Sequence, residues 1–304
     1  MCVTNDFKYS ITLSSFRNIE EPLEKTLETL VHQGYDAVEM FGEPHKVDLK
    51  RLNETFHSFN IPVCGITGMW GSVSKEGWKR KLLSLNTNIV AFSEEYVKSC
   101  IKMCHMLGGY ETNLCLFADD KFVAFDRNHG MVREDQKECM IQKRAIPTLS
   151  KLSKFAKDYG IQLLLEPLNR YSTPYCTTAT DAVSIADQLN QDNFGILLDT
   201  FHMNIEEDSI DEAIMKSGDL LGHMHFADNN RKMPGNAHID FHPVVKSLIR
   251  NGYKKYISFE PNLTSKAYKK ATKSGLEFIK TIEKKNIRTN NIAGSNQSID
   301  TSFE

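Results

Sequence analysis

Four residues of metal-ligand type close four successive apolar runs in the second half of this 304-residue chain. Ile161-Gln-Leu-Leu-Leu ends in Glu166, Gly195-Ile-Leu-Leu in Asp199, Leu221-Gly-His-Met in His225, and Tyr256-Ile-Ser-Phe in Glu260. The intervals are 33, 26 and 35 residues, each near the roughly 30 residues of one strand–helix unit in a (β/α)8 TIM barrel. In such a barrel the C-terminal ends of neighbouring strands converge on one face. The three carboxylates gathered there repel one another unless a cation lies among them, and the imidazole adds a fourth ligand for it. The spacing therefore predicts an α/β chain, folded as a (β/α)8 barrel, that binds a metal ion.

The first half fits the same plan, because short β-like runs alternate with helical periodicity. Strands are predicted at Tyr9–Leu13, Ala37–Phe41, Ile61–Ile66 and Asn113–Phe117. A first helix from about Glu20 places Leu23, Leu27, Leu30 and Val31 on one face, and Gly34 is its C-terminal cap. Gly68–Asn88, with Trp70 and Trp78, is a long loop over the barrel mouth and a candidate lid. A second long loop spans Ala118–Asp135. Pro147 inside the next helical stretch predicts a kink or a late start. The last helix runs from about Ser265 to Lys284. Residues 1–285 make a single barrel domain. The Asn/Ser/Thr-rich stretch 286–304 is predicted to be a disordered tail.

Composition narrows the class further. A hydrophobic content of 40% supports a real core, and a net charge of −2 gives no pull toward nucleic acid or an anionic membrane. The seven cysteines are odd in number and form no CxxC pair, which favours a reducing compartment. Cys100 and Cys104, one helical turn apart, are read as helix packing. No secretory h-region and no membrane-length apolar run is visible, so a cytoplasmic location is expected.

The ligand set is hard and oxygen-rich and suits Mn²⁺, Co²⁺ or Mg²⁺ better than a thiolate-rich structural zinc; Mn²⁺ is the first expectation. Four protein ligands leave room for two adjacent substrate oxygens, as in a hydroxy-ketone. Glu166 and Glu260 stand on strands three places apart and can address a substrate from opposite faces, one removing a proton and the other returning one. Return to the same carbon is epimerisation, by way of a cis-enediolate. Return to the neighbouring carbon is aldose–ketose isomerisation. Each residue also has a plainer reading: a carboxylate at a strand end can cap a helix or pair with a lysine. His223 and His225 alternate, so either can face the barrel interior, and nearness to the strand end favours His225. His202 can be a loop histidine bonded to backbone, and Arg231 a surface arginine.

At Leu165-Glu-Pro-Leu-Asn-Arg-Tyr171, Leu198-Asp-Thr-Phe-His-Met-Asn-Ile-Glu-Glu207, Gly222-His-Met-His-Phe-Ala-Asp-Asn-Asn-Arg231 and Ser258-Phe-Glu-Pro261 the chain resembles the sugar phosphate isomerase/epimerase family of xylose-isomerase-like barrels. Within that family it is closest to ketose 3-epimerases of the D-tagatose/D-psicose type. The likeness covers about residues 8–284. It implies that Glu166, Asp199, His225 and Glu260 are metal ligands, that Glu166 and Glu260 are the acid/base pair, and that His202 and Arg231 bind substrate. It also implies a homo-oligomer, dimer or tetramer. Two positions depart from the family pattern. Ser172 replaces an acidic residue that helps hold the substrate. Ala237 replaces the second glycine of Pro-Gly-x-Gly, which implies strain or another loop path if that position needs a positive φ.

The leading expectation is a divalent-metal-dependent ketose 3-epimerase acting on a free, unphosphorylated sugar. Ser172 motivates an alternative with the same chemistry, an isomerase or dehydratase of an inosose-type or hydroxypyruvate-type substrate. A metal-dependent phosphodiesterase like the apurinic-site endonucleases is a different class, and the charge balance argues against it. A barrel that binds sugar without turning it over is disfavoured by the intact acid/base pair.

Overall fold

Parallel strands buried on both faces read as unbroken apolar runs, and the runs ending in the four ligand-type residues behave so. Leu163, Leu164 and Leu165, like Ile196 and Leu198, are fully buried. The computed structural model describes residues 7–71, 76–119, 134–264 and 267–297, with side chains to 287. Among them the strands are β1 (Lys8–Ile11), β2 (Val38–Gly42), β3 (Val63–Gly68), β4 (Glu111–Leu114), β5 (Gln162–Leu165), β6 (Phe194–Asp199), β7 (Leu221–Phe226) and β8 (Tyr256–Phe259). From β2 to β8 each pairs in parallel with the next, and β8 pairs with β1. A single bridge between Thr12 and Glu39 joins β1 to β2 and closes the ring. The fold is the predicted (β/α)8 barrel of the xylose-isomerase-like type.

The outer helices are α1 (Leu23–Gln33), α2 (Leu49–Ser58), α3 (Thr87–Met106), α4 (Glu134–Met140), α5 (Ile146–Asp158), α6 (Ala179–Leu189), α7 (Thr200–Glu206), α8 (Ile210–Ser217), α9 (Phe241–Arg250) and α10 (Tyr268–Gln297). Local chemistry sets their ends. Gly34 caps α1 at φ 84°, its N–H donating to the last carbonyls of the helix, a left-handed geometry that glycine adopts without penalty. Thr178 and Asp181 make a reciprocal capping box on α6. Cys100 and Cys104 are buried on α3, as helix packing requires. No helix among the described residues is long and apolar enough to cross a membrane.

Several local expectations are corrected. Val31 is 42% exposed, because the inward stripe of α1 follows Leu27 and Leu30 and leaves Val31 at its edge. The fourth strand ends at Leu114 rather than Phe117. Beyond it the chain bonds to loops instead of a strand, with Leu83 N–H donating to the Phe117 carbonyl and Thr173 Oγ1 to that of Leu116. At Pro147 the expected irregularity is found: the α-helical run is interrupted and α5 starts only at Ile146, with the proline in its first turn. Residues Ile141–Ala145 form a π turn that runs directly into α5, and the wider turn accommodates the carbonyl crowding a proline creates four residues upstream. Helix α10 passes the boundary expected at 286 and reaches Gln297, with Ile287 packed against the core. Residues 298–304 of the expected tail lie outside the described residues. So do 120–133 of the second long loop and 72–75 of the first.

Candidate metal centre

Because β5 to β8 are adjacent, their C-terminal ends bring Glu166, Asp199, His225 and Glu260 together, each offering a ligand atom within 4.8 Å of the others. Glu166 follows β5 and is held by Asn113 of β4, whose Nδ2 donates to its Oε2 at 2.5 Å. Asp199 closes β6 and caps α7: its Oδ1 accepts from Phe201 N–H at 2.9 Å, while Oδ2 faces the cluster. Glu260 follows β8, its N–H bonded to the Phe226 carbonyl of β7 at 3.1 Å.

Both histidines of β7 face the barrel interior and both are buried. Only His225 reaches the carboxylates, with Nδ1 3.3 Å from Glu260 Oε2 and 3.8 Å from Glu166 Oε1. Its Nε2 lies 3.0 Å from Glu39 Oε2 on β2. His223, one step deeper, contacts Glu111 of β4 through Nδ1 and lies 3.7 Å from Glu39 through Nε2.

Arg231 crosses the top of the cluster. Its Nη1 donates to Asp199 Oδ2 and its Nη2 to Glu260 Oε2, and the guanidinium lies 4.8 Å from the centroid of the Phe201 ring. The backbone at Arg231 is left-handed, φ 57°, which costs a non-glycine residue of order 1 kcal/mol or more. A tight loop holds it there. Arg231 N–H donates to the Asp228 carbonyl and the Arg231 carbonyl accepts from Asn262 N–H. The Asp228 carboxylate accepts from the N–H groups of Asn229, Gly235, Ala237 and Ile239. Gly235 takes the positive φ (83°) and Ala237 does not, so the alanine brings none of the strain expected of it.

His202, near the start of α7, is oriented through Nδ1, which accepts from Asn169 N–H at 3.0 Å. The ring's other nitrogen therefore carries the proton and points toward Asp199 Oδ2, 4.0 Å away. Burial holds this imidazole below its ordinary pKa, with Asp199 offsetting part of the effect. His202 is thus a neutral donor at the edge of the cluster. A cavity of about 500 Å³ opens above, lined by Glu166, Glu260, His202 and Arg231 and by Trp70, Trp78, Phe117, Tyr171 and Ser172. Trp70 is buried and stacks against Phe117, whereas Trp78 is 56% exposed. The loop predicted over the mouth therefore supplies one wall of the cavity.

Charge at the centre is unbalanced toward anion. Burial raises the Asp199 carboxyl, and Arg231 offsets only part of this. At Glu260 burial is outweighed by Arg231 and His225, and the carboxyl falls to about 2. Three carboxylates face one guanidinium and one imidazole, an excess of negative charge that a divalent cation would neutralise. His225 Nδ1 is buried and lacks a hydrogen-bond partner, although it is aimed at two of the carboxylates. Donor set and orphaned nitrogen both fit a hard divalent ion.

Sequence reasoning brought all six site residues to one place but missed what supports them. Glu39 lies inside the second predicted strand, and Glu111 stands just before the predicted fourth strand although β4 begins with it. Their signal was available: a carboxylate at an inward position of a barrel strand, where branched apolar residues are the rule, requires a partner. Asn113, Asn169 and Asp228 act on the ligands and their loops only through folded geometry.

A family model described as the xylose isomerase-like TIM barrel matches residues 27–282. The chain is 25% identical to an L-ribulose 3-epimerase of Methylomonas sp. (strain DH-1) over 237 residues, 78% of this chain and 77% of that one. It is 28% identical to a D-psicose 3-epimerase of Ruminiclostridium cellulolyticum over 240 residues, 77% of this chain and 76% of the relative. A solved structure of an L-ribulose 3-epimerase superposes with a TM-score of 0.79 at 23% identity, covering 95% of this chain and 98% of the other.

Proposed function

The chain belongs to the xylose isomerase-like TIM-barrel family and is an isomerase acting on carbohydrates; within that class we propose that it is a divalent-metal-dependent ketose 3-epimerase. The observation that carries the reading is the convergence of Glu166, Asp199, His225 and Glu260 at one point, where Glu166 and Glu260 would serve as acid and base. A divalent ion held by these four would polarise the substrate's carbonyl and acidify the neighbouring C–H bond. The donor set suits Mn²⁺, Co²⁺ or Mg²⁺, and Mn²⁺ is the ion proposed.

The chain's own groups account for the rest of the chemistry. Glu166 and Glu260 approach the substrate from β5 and β8. One carboxylate takes the proton from C3 and the other delivers a proton to the opposite face, which inverts that centre. The Nε2–H of His202 donates to a substrate oxygen, and its neutrality leaves the acid/base work to the carboxylates. Arg231 donates to a substrate oxygen and balances charge as it develops. Trp70 and Phe117 form an apolar wall for the sugar's carbon face and shield the reacting carbon from water.

Ser172 sits on the cavity wall beside Tyr171, where the resemblance would place a carboxylate. A neutral, short side chain there enlarges the site and removes one acceptor for sugar hydroxyls. Ser172→Glu is predicted to change relative KM values among ketoses more than kcat, read by steady-state kinetics on D-fructose, D-tagatose, D-psicose and L-ribulose. The test of the function itself is direct. Mn²⁺-loaded protein incubated with those ketoses should yield the C3 epimer of at least one, and chelation should abolish turnover. Interconversion with an aldose instead would make it a 1,2-isomerase.

A further inference from the structure

The interior of a (β/α)8 barrel is normally packed with branched apolar side chains, yet beneath the four-ligand cluster three ionisable residues lie in its centre. Glu39 on β2, Glu111 on β4 and His223 on β7 are each at most 2% exposed. Buried charges destabilise a fold unless paired, and these are linked in series. His225 Nε2 meets Glu39 Oε2 at 3.0 Å, the same oxygen lies 3.7 Å from His223 Nε2, and His223 Nδ1 contacts Glu111. The two rings stand 5.2 Å apart, nearly perpendicular at 88°, so both can address one carboxylate. The series begins at the sole imidazole of the cluster and leads away from the substrate cavity.

We propose that Glu39 is the positioning residue for His225, held in place by His223 and Glu111 behind it. It accepts the Nε2 proton, fixes the ring plane, and turns the Nδ1 lone pair toward Glu166, Asp199 and Glu260. A carboxylate bonded to the far nitrogen of a metal-binding histidine selects the tautomer and strengthens the ligand. Glu39 therefore sets how tightly the cluster holds its ion while touching neither ion nor substrate. The proposal rests on the reading of the four-residue cluster as a divalent-metal site.

Calorimetric titration with Mn²⁺ and the visible spectrum of the Co²⁺-substituted protein test it without recourse to activity. Wild type should bind one Mn²⁺ per chain. Glu39→Gln keeps an acceptor but loses the charge. It should weaken Mn²⁺ binding about 10–100-fold and shift the Co²⁺ bands, whereas a residue of purely structural importance would lower Tm and leave those bands in place. Glu111→Gln, acting through His223, should give a smaller loss. A folded Glu39→Gln protein with wild-type affinity and spectrum would overturn the proposal. So would two Mn²⁺ per wild-type chain with one lost in His223→Gln, which would make the buried series a second cation site. If Glu39→Gln does not fold, ¹⁵N-histidine spectra of Mg²⁺-loaded wild type decide. A proton on His225 Nε2 supports the proposal, and a proton on Nδ1 refutes it. Wild type that binds no divalent ion would instead bring down the metal-site reading, and the proposal with it.

Discussion

Asp199 serves fold and site with different oxygens: Oδ1 caps α7 and Oδ2 takes the Arg231 guanidinium. The capping reading of a strand-end carboxylate is therefore correct for it, while the second oxygen stays available for the proposed ligand role. Sequence pattern alone could not separate them, because it does not resolve one carboxylate oxygen from the other. The two histidines of β7 posed the same difficulty. Alternation placed both inward, and only depth along the barrel distinguishes the ring that meets the carboxylates from the ring that meets Glu111. Arg231 has the clearest individual consequence. Arg231→Ala removes charge-assisted hydrogen bonds of about 1.5–3 kcal/mol each, so kcat/KM should fall at least 10–100-fold. Mn²⁺ binding should not weaken, because no positive charge remains beside the cation. Steady-state kinetics and calorimetry on one preparation check both halves.

Among the elements, the strand order follows from the spacing of apolar runs, whereas the connecting segments depend on contacts the run pattern does not encode. The loop after β3 is the informative case. It is anchored by Arg80, buried against Glu43 after β2 at 3.0 Å, with Nη1 on the Met69 carbonyl and its guanidinium 3.8 Å from the centroid of the Tyr96 ring. The Tyr96 hydroxyl in turn donates to the Gly42 carbonyl and accepts from Met69 N–H. Read from sequence, Arg80 is one charge in a polar loop. In the fold it fixes the base of the segment bearing Trp70 and Trp78. Arg80→Met leaves the buried Glu43 with only the half-exposed Lys46, at 3.3 Å, as a charged partner, and should destabilise the chain by about 1.5–3 kcal/mol in urea unfolding. The pair also predicts a pH dependence. Burial opposes ionisation of Glu43, but Arg80 and Lys46 together outweigh it and the carboxyl lies below its ordinary value. A carboxyl lowered by folding stabilises above its unfolded pKa of about 4.3 and loses that contribution as pH falls through its folded value. The Tm gap between wild type and Glu43→Gln should therefore be widest near neutrality and close under acid.

For the whole molecule, the spacing of four residues was enough to predict the barrel and the meeting point of its ligands, since topology alone brings successive strand ends together. The buried carboxylates of the interior fell outside that argument, because a strand with one inward Glu still reads as apolar. As a system linked to its ion, the chain should gain about 2.7 kcal/mol at a free Mn²⁺ concentration of about 100 times Kd. That gain is a rise of several degrees in Tm, reversed by chelator and much reduced in Glu260→Gln. A wild-type Tm indifferent to Mn²⁺ and to chelator alike would contradict the linkage.

The central claim is that Glu166 and Glu260 pass protons at one carbon of a ketose. Solvent exchange in D₂O reads this directly, with Mn²⁺-loaded wild type, Glu166→Gln and Glu260→Gln followed by NMR on the same ketose panel. The account predicts deuterium at C3 together with the C3 epimer. In each variant epimer formation should fall by a factor of about 10²–10⁴. Deuterium at C1, or wild-type rates of C3 exchange and epimerisation in both variants, would contradict it.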